Sequence, residues 1–413
     1  VGEGVVIIGG GHGGSQTAAS LRSEGYDGPV TLVSADTEIP YQRPPLSKTY
    51  LKEPEKGLQE LRPEAFYGSH DIELRLSTTA LSIDRHLRTV ALGDGSEIGF
   101  EHLVLAVGSR PRVPAIAGTD LEGVFLLRNA ADARRIHDAF VKAESVVVIG
   151  GGFIGLEIAA TARQLGRNVT VVEAVDRLMG RAVAPEISQH FLDLHRGWGS
   201  TVLLNAPAEG ILGDGRGKLA AIEAGGREVP ADLVVLGIGV VPNVELARDV
   251  GLSIENGILV GPNLATDDPN IFAIGDCVTF DEASIGRKIR LESVQNAVDQ
   301  GKAVAKTIVG KGAPYRSVPW FWSDQQDVKL QMVGLPHLAD RRVIRGNPDD
   351  GAFSVFQFAG DRLVEIDSIN RAADHMFGRR GLERAESLPT PDQAADESFD
   401  LKTLLKRPAR SAG

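Results

Sequence analysis

Thiol chemistry has almost no material here: Cys277 is the single cysteine in 413 residues. Without a second one there is no intrachain disulfide, structural or redox-active, and mechanisms that store electrons in a dithiol are excluded. Long apolar runs are also missing, none approaching the ~18 residues of a membrane span, so no membrane partner is expected. Only Val1–Gly4 precedes the first apolar stretch. With no charged-then-apolar leader to argue for export, the expected location is cytoplasmic. Basic residues are outnumbered, 44 Lys and Arg against 55 Asp and Glu, for a formal net charge of −11. A nucleic-acid surface needs a basic stripe that this balance disfavours, and no nucleic-acid partner is expected. No metal centre is expected either. Aromatics make up 5% of the chain whereas glycines number 48, which suits a fold rich in tight strand-to-helix turns. The length suffices for about two or three domains with proper cores.

The glycines carry the first positive signal. Val5–Arg22, VVIIGGGHGGSQTAASLR, runs from an apolar strand into glycines and out into a small-residue helix. Gly9, Gly11 and Gly14 take the G-x-G-x-x-G spacing with the right flanks. A first glycine allows the tight turn, a second lets a pyrophosphate approach the backbone, and a third lets helix pack on strand, so phosphates sit at a helix N-terminus. The same device recurs at Ser145–Gly166, where Gly150, Gly152 and Gly155 hold the spacing before a further strand, Asn168–Glu173. Glu173 falls about 20 residues on, where a carboxylate accepts both ribose hydroxyls of NADH and repels the extra phosphate of NADPH. Arg177 and Arg181 are near it and could contact pyrophosphate or adenine. At the end of the strand after the first motif (Pro29–Asp36), Ser34 and Ala35 stand where an acid would be usual; the nearest acid there is Asp36, assigned to the adenosine ribose, with a solvated loop carboxylate as the alternative. Two dinucleotides in one chain point to hydride transfer between them, typically from nicotinamide to flavin.

The remaining pattern predicts an α/β fold with two Rossmann-like dinucleotide-binding domains and a C-terminal α+β domain containing a small antiparallel sheet. Residues 1–113 and 244–317 are expected to form a discontinuous FAD-binding domain, 114–243 the NADH-binding domain and 318–413 the C-terminal domain. Paired prolines forbid a regular helix over Tyr41–Leu51, which reads as a rigid loop carrying Arg43 and Lys48. His102–Pro111 is a buried strand ending in glycine, and Leu291–Gly310 a helix with Ala and Val on one face.

Gly9–Gly14, Arg43–Lys48 (RPPLSK), Gly150–Glu157, Ile274–Cys277 (IGDC), Glu292–Ala297 (ESVQNA) and Trp320–Gln325 (WFWSDQ) occur in this order. Together they make the chain similar to the oxygenase-coupled NADH-dependent ferredoxin reductases, the putidaredoxin reductase-like branch of the glutathione-reductase-like flavoproteins. The resemblance extends to Asn370–Arg380, near the end. It implies bound FAD, NADH as donor and a [2Fe-2S] ferredoxin as acceptor, serving a cytochrome P450 or a ring-hydroxylating dioxygenase.

Residue by residue, the resemblance places FAD against Gly9, Gly11, Gly13, Gly14, Asp36, Arg43, Lys48, Leu81 (beside the adenine), Ala106, Gly108, Arg128, Gly275, Asp276, Val294 and Trp322. It places NADH against Gly150, Gly152, Phe153, Ile154, Gly155, Glu157, Glu173, Arg181 and Gly239. Asp276 would accept a hydroxyl hydrogen bond from FAD or, on the blander reading, cap a turn; Cys277 beside it reads as buried filler. The helix starting near Val294 would aim its N-terminus at the flavin pyrimidine and favour negative charge there, or would simply pack. Lys48 and Glu157 would form an ion pair on the flavin face, although an acid in the first turn after Gly155 is favoured by the helix dipole anyway. Phe153 reads as a gate over the flavin or as core. Trp322, with Trp320, would lie on the flavin's other side near the ferredoxin, or in a core. Arg287, Lys288, Arg290, Arg316, Arg379 and Arg380 are candidate docking residues for an acidic ferredoxin, or a solvated face. Two alternatives share the fold: an NADH oxidase or peroxidase, which uses a cysteine where this chain has Arg43–Lys48, and an NADH-sensing flavoprotein without rapid turnover.

Overall fold

A computed structural model of the chain describes residues 4–384 and 388–405, in two compact units. One comprises the chain up to Arg112, Arg128–Arg134 and Val240–Ser317; the other comprises Val113–Leu127, Arg135–Gly239 and the chain from Val318. The outermost expected bounds, residues 1 and 413, lie outside the described residues.

The first unit is built on a five-stranded parallel sheet in the order Ile271–Ala273, His102–Leu105, Val5–Ile8, Val30–Val33, Ile72–Arg75. Val5–Ile8 is buried at every residue, the unbroken apolar run of a parallel strand covered on both faces. Helix His12–Ser23 meets helix Val294–Ile308 so closely that a Cβ on Gly301 would lie 2.8 Å from the carbonyl oxygen of Gly13. Strand order reverses between Val5–Ile8 and His102–Leu105, the kind of switch point where open α/β sheets bind ligands. A three-stranded antiparallel sheet, Ala80–Asp84, Thr89–Leu92 and Glu97–Gly99, is added to this unit. The prolines depart from expectation. Rather than a plain loop, Pro44–Ser47 forms a short 3-10 helix followed by Thr49–Lys52. Both prolines sit at the start, where a helix has no partner for its N–H groups and none is needed.

The second unit repeats the parallel theme in the order Thr201–Leu203, Asn168–Val172, Ser145–Ile149, Leu233–Leu236, Val124–Phe125, with its switch point beside Ser145–Ile149. Its chain then forms a five-stranded antiparallel sheet in the order Trp320–Gln325, Val328–Gly334, Arg362–Ile369, Ala352–Ala359, Arg341–Asn347, faced by helix Ala372–Arg384. Phe377 of that helix packs in one core with Val333, Phe356, Phe358 and Ile366 of the sheet. The fold is thus α/β with two Rossmann-like parallel cores and a C-terminal antiparallel sheet. Among the described residues, no helix is long and apolar enough to cross a membrane.

Candidate dinucleotide sites

At the end of strand Val5–Ile8 the backbone turns at Gly9 with φ +119°, where a Cβ would lie 2.2 Å from the carbonyl oxygen of Ala106. A Cβ on Gly14 would lie 2.0 Å from the carbonyl oxygen of Gly9, which fixes glycine at the helix–strand crossing. The helix begins at Gly11 with no side-chain cap, and a Cβ there would meet nothing within 4 Å. No side chain caps its first N–H groups, and Gly11 leaves room beside them, as an anion site requires.

Arginines surround this opening. Arg43 donates from Nη1 to the carbonyl oxygen of Arg128 at 2.6 Å, and its Nη2 lies 3.8 Å from Asp36. Asp36 also accepts from the Tyr41 hydroxyl at 2.8 Å, while that hydroxyl accepts the Ala130 N–H. Arg128 Nη2 lies 3.7 Å from Asp276, which accepts from Ser109 Oγ at 3.0 Å. Asp276 is thus held across the site by a side chain and does not serve as a turn cap. Burial, then the Arg43 charge, lowers the Arg128 pKa. Burial, then Arg43 and Arg128, lowers His12 to about 4, leaving a neutral imidazole whose Nε2 is buried without a hydrogen-bond partner. Gln300 accepts the Gly275 N–H at 2.7 Å, and its buried Nε2 likewise has no partner. Open N–H groups beside two guanidinium groups fit the diphosphate of a dinucleotide, and orphaned buried polar atoms suit a site completed by ligand. Gly13 packs against Ile274 and Ala297, and Gly108 and Gly275 take φ +64° and +80°. Lys48 Nζ donates to the carbonyl oxygen of Pro44 at 3.1 Å, and Leu81 is 61% exposed. Val294 opens its helix behind Ser293, whose Oγ accepts the Asn296 N–H.

The second cradle has nearly the same backbone. Gly150 turns at φ +111°, a Cβ on Gly155 would lie 2.2 Å from the Gly150 carbonyl oxygen, and the helix again begins at an uncapped glycine, Gly152. Glu173 is fixed by two backbone donors, Gly151 N–H at 2.7 Å and Val175 N–H at 3.0 Å. Each carboxylate oxygen keeps a further lone pair for a ribose hydroxyl. Arg181 is exposed, 3.6 Å from where a Cβ on Gly239 would stand. Arg177 turns inward, donating to Val183 and Gly180 carbonyl oxygens and to Ser188 Oγ, so it is committed to its own loop.

Beyond the cradle, Ile154 is 45% exposed and Phe153 packs on Phe321 with ring centroids 4.7 Å apart. Glu157 is buried and accepts from Ser323 Oγ at 2.7 Å. Trp320 and Trp322 lie 5.5 Å apart, tilted by 31°, and the Arg379 guanidinium stands 4.4 Å over Trp320. Two other candidate docking cations are ion-paired: Lys288 with Glu255 at 2.7 Å and Arg290 with Glu292 at 2.5 Å. Sequence reasoning passed over Tyr41, His12, Ser109 and Ser323. Tyr41 stands two residues before Arg43, His12 inside the glycine motif and Ser323 inside the Trp-Phe-Trp-Ser cluster; Ala130, Asp276 and Glu157, which Tyr41, Ser109 and Ser323 meet, are 89, 167 and 166 residues away, so spacing gave no cue.

The sequence model of the pyridine nucleotide-disulphide oxidoreductase family matches residues 3–301, and that described as reductase C-terminal matches 320–405. Rhodocoxin reductase of Rhodococcus erythropolis is 46% identical over 406 residues, spanning 98% of this chain and 94% of its own. The ferredoxin reductase for the CYP199A2 system from Rhodopseudomonas palustris superposes with a TM-score of 0.94 at 46% identity, over 97% of this chain and 98% of its own. The covalent putidaredoxin reductase–putidaredoxin complex contains a chain that matches at 0.93 and 36% identity, over 98% of both chains.

Proposed function

Because the chain belongs to the pyridine nucleotide-disulphide oxidoreductase family, we infer that it is an FAD-dependent NADH:ferredoxin reductase. It passes electrons to a [2Fe-2S] ferredoxin that serves a cytochrome P450 or a ring-hydroxylating dioxygenase. The observation that carries this reading is two uncapped glycine cradles in one chain whose sole cysteine is buried. The overall reaction balances as NADH plus two oxidised ferredoxins giving NAD+, a proton and two reduced ferredoxins. Bound FAD supplies the conversion between a two-electron donor and a one-electron acceptor.

Gly9, Gly11 and Gly14 admit the FAD diphosphate to the helix N-terminus, with Arg43 and Arg128 beside it. Asp36 and Asp276 accept FAD hydroxyls, Gly275 and the Val294 helix line the flavin, and Leu81 covers the adenine. In the second cradle Gly150, Gly152 and Gly155 receive the NADH diphosphate, Arg181 assists, and Glu173 takes the ribose hydroxyls and disfavours NADPH. Lys48 and Glu157 are the charged groups assigned to the reacting rings, Phe153 the aromatic gate and Trp322 a further aromatic of the flavin site. Residues 1–113 with 244–317, 114–243 and 318–413 are proposed as the FAD, NADH and C-terminal domains, acting in the cytoplasm.

NADH consumption in air by the FAD-loaded protein, with and without a [2Fe-2S] ferredoxin and cytochrome c as final acceptor, tests the reading. Slow oxidation alone and a large acceleration by ferredoxin are expected. Equally fast oxidation without ferredoxin would make oxygen the acceptor and overturn it.

A further inference from the structure

Ser323 and Gln325 alternate along strand Trp320–Gln325, so their side chains share a face, and both are buried, at 0% and 1% exposure. Each is committed to a polar partner far away in sequence. Gln325 Oε1 lies 2.8 Å from His195 Nε2. An amide oxygen accepts, so the imidazole carries its proton on Nε2. The other ring nitrogen, Nδ1, is buried without a partner, and burial lowers the pKa of this histidine, so the ring is neutral. Gln325 Nε2 donates to Ser323 Oγ at 3.4 Å, and Ser323 Oγ donates to Glu157 Oε1 at 2.7 Å. All three donors therefore point one way, from His195 through Gln325 and Ser323 to Glu157. An amide link does not hand on a proton, so the row is no proton wire. Its effect is orientation: serial hydrogen bonds polarise one another, and the last is a charge-assisted bond from hydroxyl to carboxylate. Glu157 lies on helix Phe153–Gln164, which starts at the second cradle.

We propose that Ser323 is the positioning residue for Glu157, its hydroxyl oriented by Gln325 and His195 so that the C-terminal sheet fixes the carboxylate at the NADH cradle. The inference rests on the reading of Glu157 as a member of the NADH–flavin site.

The test uses the FAD-loaded full-length protein as wild type, Ser323→Ala, Gln325→Met, Glu157→Gln and Ser323→Ala combined with Glu157→Gln. Two quantities are read: the rate of flavin reduction by NADH in stopped flow, and the flavin midpoint potential. Ser323→Ala is expected to slow reduction about tenfold, as a misplaced reacting-site group does, and to move the potential in the direction of Glu157→Gln. In the Glu157→Gln background the serine substitution is expected to add nothing, because its action runs through the carboxylate. Gln325→Met gives a smaller change of the same sign, and Ser323→Thr, which keeps the hydroxyl, restores both quantities. Should Ser323→Ala fail to fold, Gln325→Met in the two backgrounds carries the same comparison. Equal costs in both backgrounds, or an unmoved potential in Ser323→Ala beside a moved one in Glu157→Gln, overturns the proposal. A Glu157→Gln protein with unchanged rate and potential is a separate failure, of the site assignment itself.

Discussion

Gly9 and Gly150 turn at φ +119° and +111°, and a Cβ on Gly14 or Gly155 would strike the carbonyl oxygen of Gly9 or Gly150 at 2.0 or 2.2 Å, so the two cradles impose one steric demand. What surrounds that demand differs. The first acid, Asp36, shares its oxygens with Tyr41 and Arg43 in a network that includes Arg128 and Asp276. The second, Glu173, is held by two backbone N–H groups beside an exposed Arg181. One cradle is a crowded ionic enclosure suited to a resident ligand, the other a lightly furnished shelf suited to exchange. Backbone geometry is what the two cradles share, and the side chains around it are what distinguish them.

The strongest way to break this comparison is to fill each crossing. Gly14→Ala and Gly155→Ala each push a methyl onto a carbonyl oxygen, and overpacking of that kind costs about 1–3 kcal/mol or more. Gly14→Ala should lose its flavin on gel filtration, read as absorbance per protein. Gly155→Ala should stay yellow and lose reduction by NADH. If both variants lost flavin equally, the cradles would not be separately assigned.

A smaller effect is expected from the acids. Glu173→Gln removes the charge proposed to reject a 2′-phosphate, and on that proposal the preference for NADH over NADPH in kcat/KM should fall about tenfold. Asp36→Asn, surrounded by further contacts, should retain flavin. Unchanged cofactor preference in Glu173→Gln would place discrimination elsewhere.

Next comes pH, where buried acids and buried histidines act with opposite sign. Burial raises Asp367 in the C-terminal sheet to about 7 from 3.8, and burial followed by the Asp367 charge raises Glu365. Between those values the native state keeps a proton that the unfolded chain has released, so this contribution is present at low pH and lost as pH rises towards 7, at up to ~1.4 kcal/mol per pH unit. His12 in the first unit runs the other way: lowered to about 4 from 6.5, it stays neutral when the unfolded chain is protonated, so stability is lost as pH falls through that window. His375 adds the same acid-side loss to the second unit, its pKa lowered to about 4 by burial and then Arg379. Asp367→Asn should therefore gain melting temperature relative to wild type as pH rises towards 7 and level off above it. Parallel melting curves would remove Asp367 as the source.

The contrast between cradles also shows what a sequence exposes. The strand–glycine–helix units were legible because apolar runs, glycine spacing and small helix residues are all local. The C-terminal sheet was legible from alternation. The polar furniture was not: Arg43 reaches the Arg128 carbonyl 85 residues away, and Ser323 reaches Glu157 across 166. Such contacts exist only once packing brings elements together. Residues read one at a time, such as Arg177, look available until their loop is seen to fold around them.

The smallest effect is expected at Cys277, a thiol in the first unit that has no counterpart in the second. Its Sγ donates to the carbonyl oxygen of Ile274 at 3.3 Å, and burial pushes its pKa up to about 12. A thiol so placed stays protonated at neutral pH, and the thiolate is the reactive form. Cys277→Ala should keep ferredoxin-dependent turnover within about twofold, with loss of stability limited to about 1–2 kcal/mol for the small cavity. Retained NADH consumption would confirm that electrons pass between the two cradles without sulfur. Abolished consumption in a protein that still binds flavin would mean that the first cradle needs a thiol step, and the charge-based contrast between the cradles would no longer account for how they divide the work.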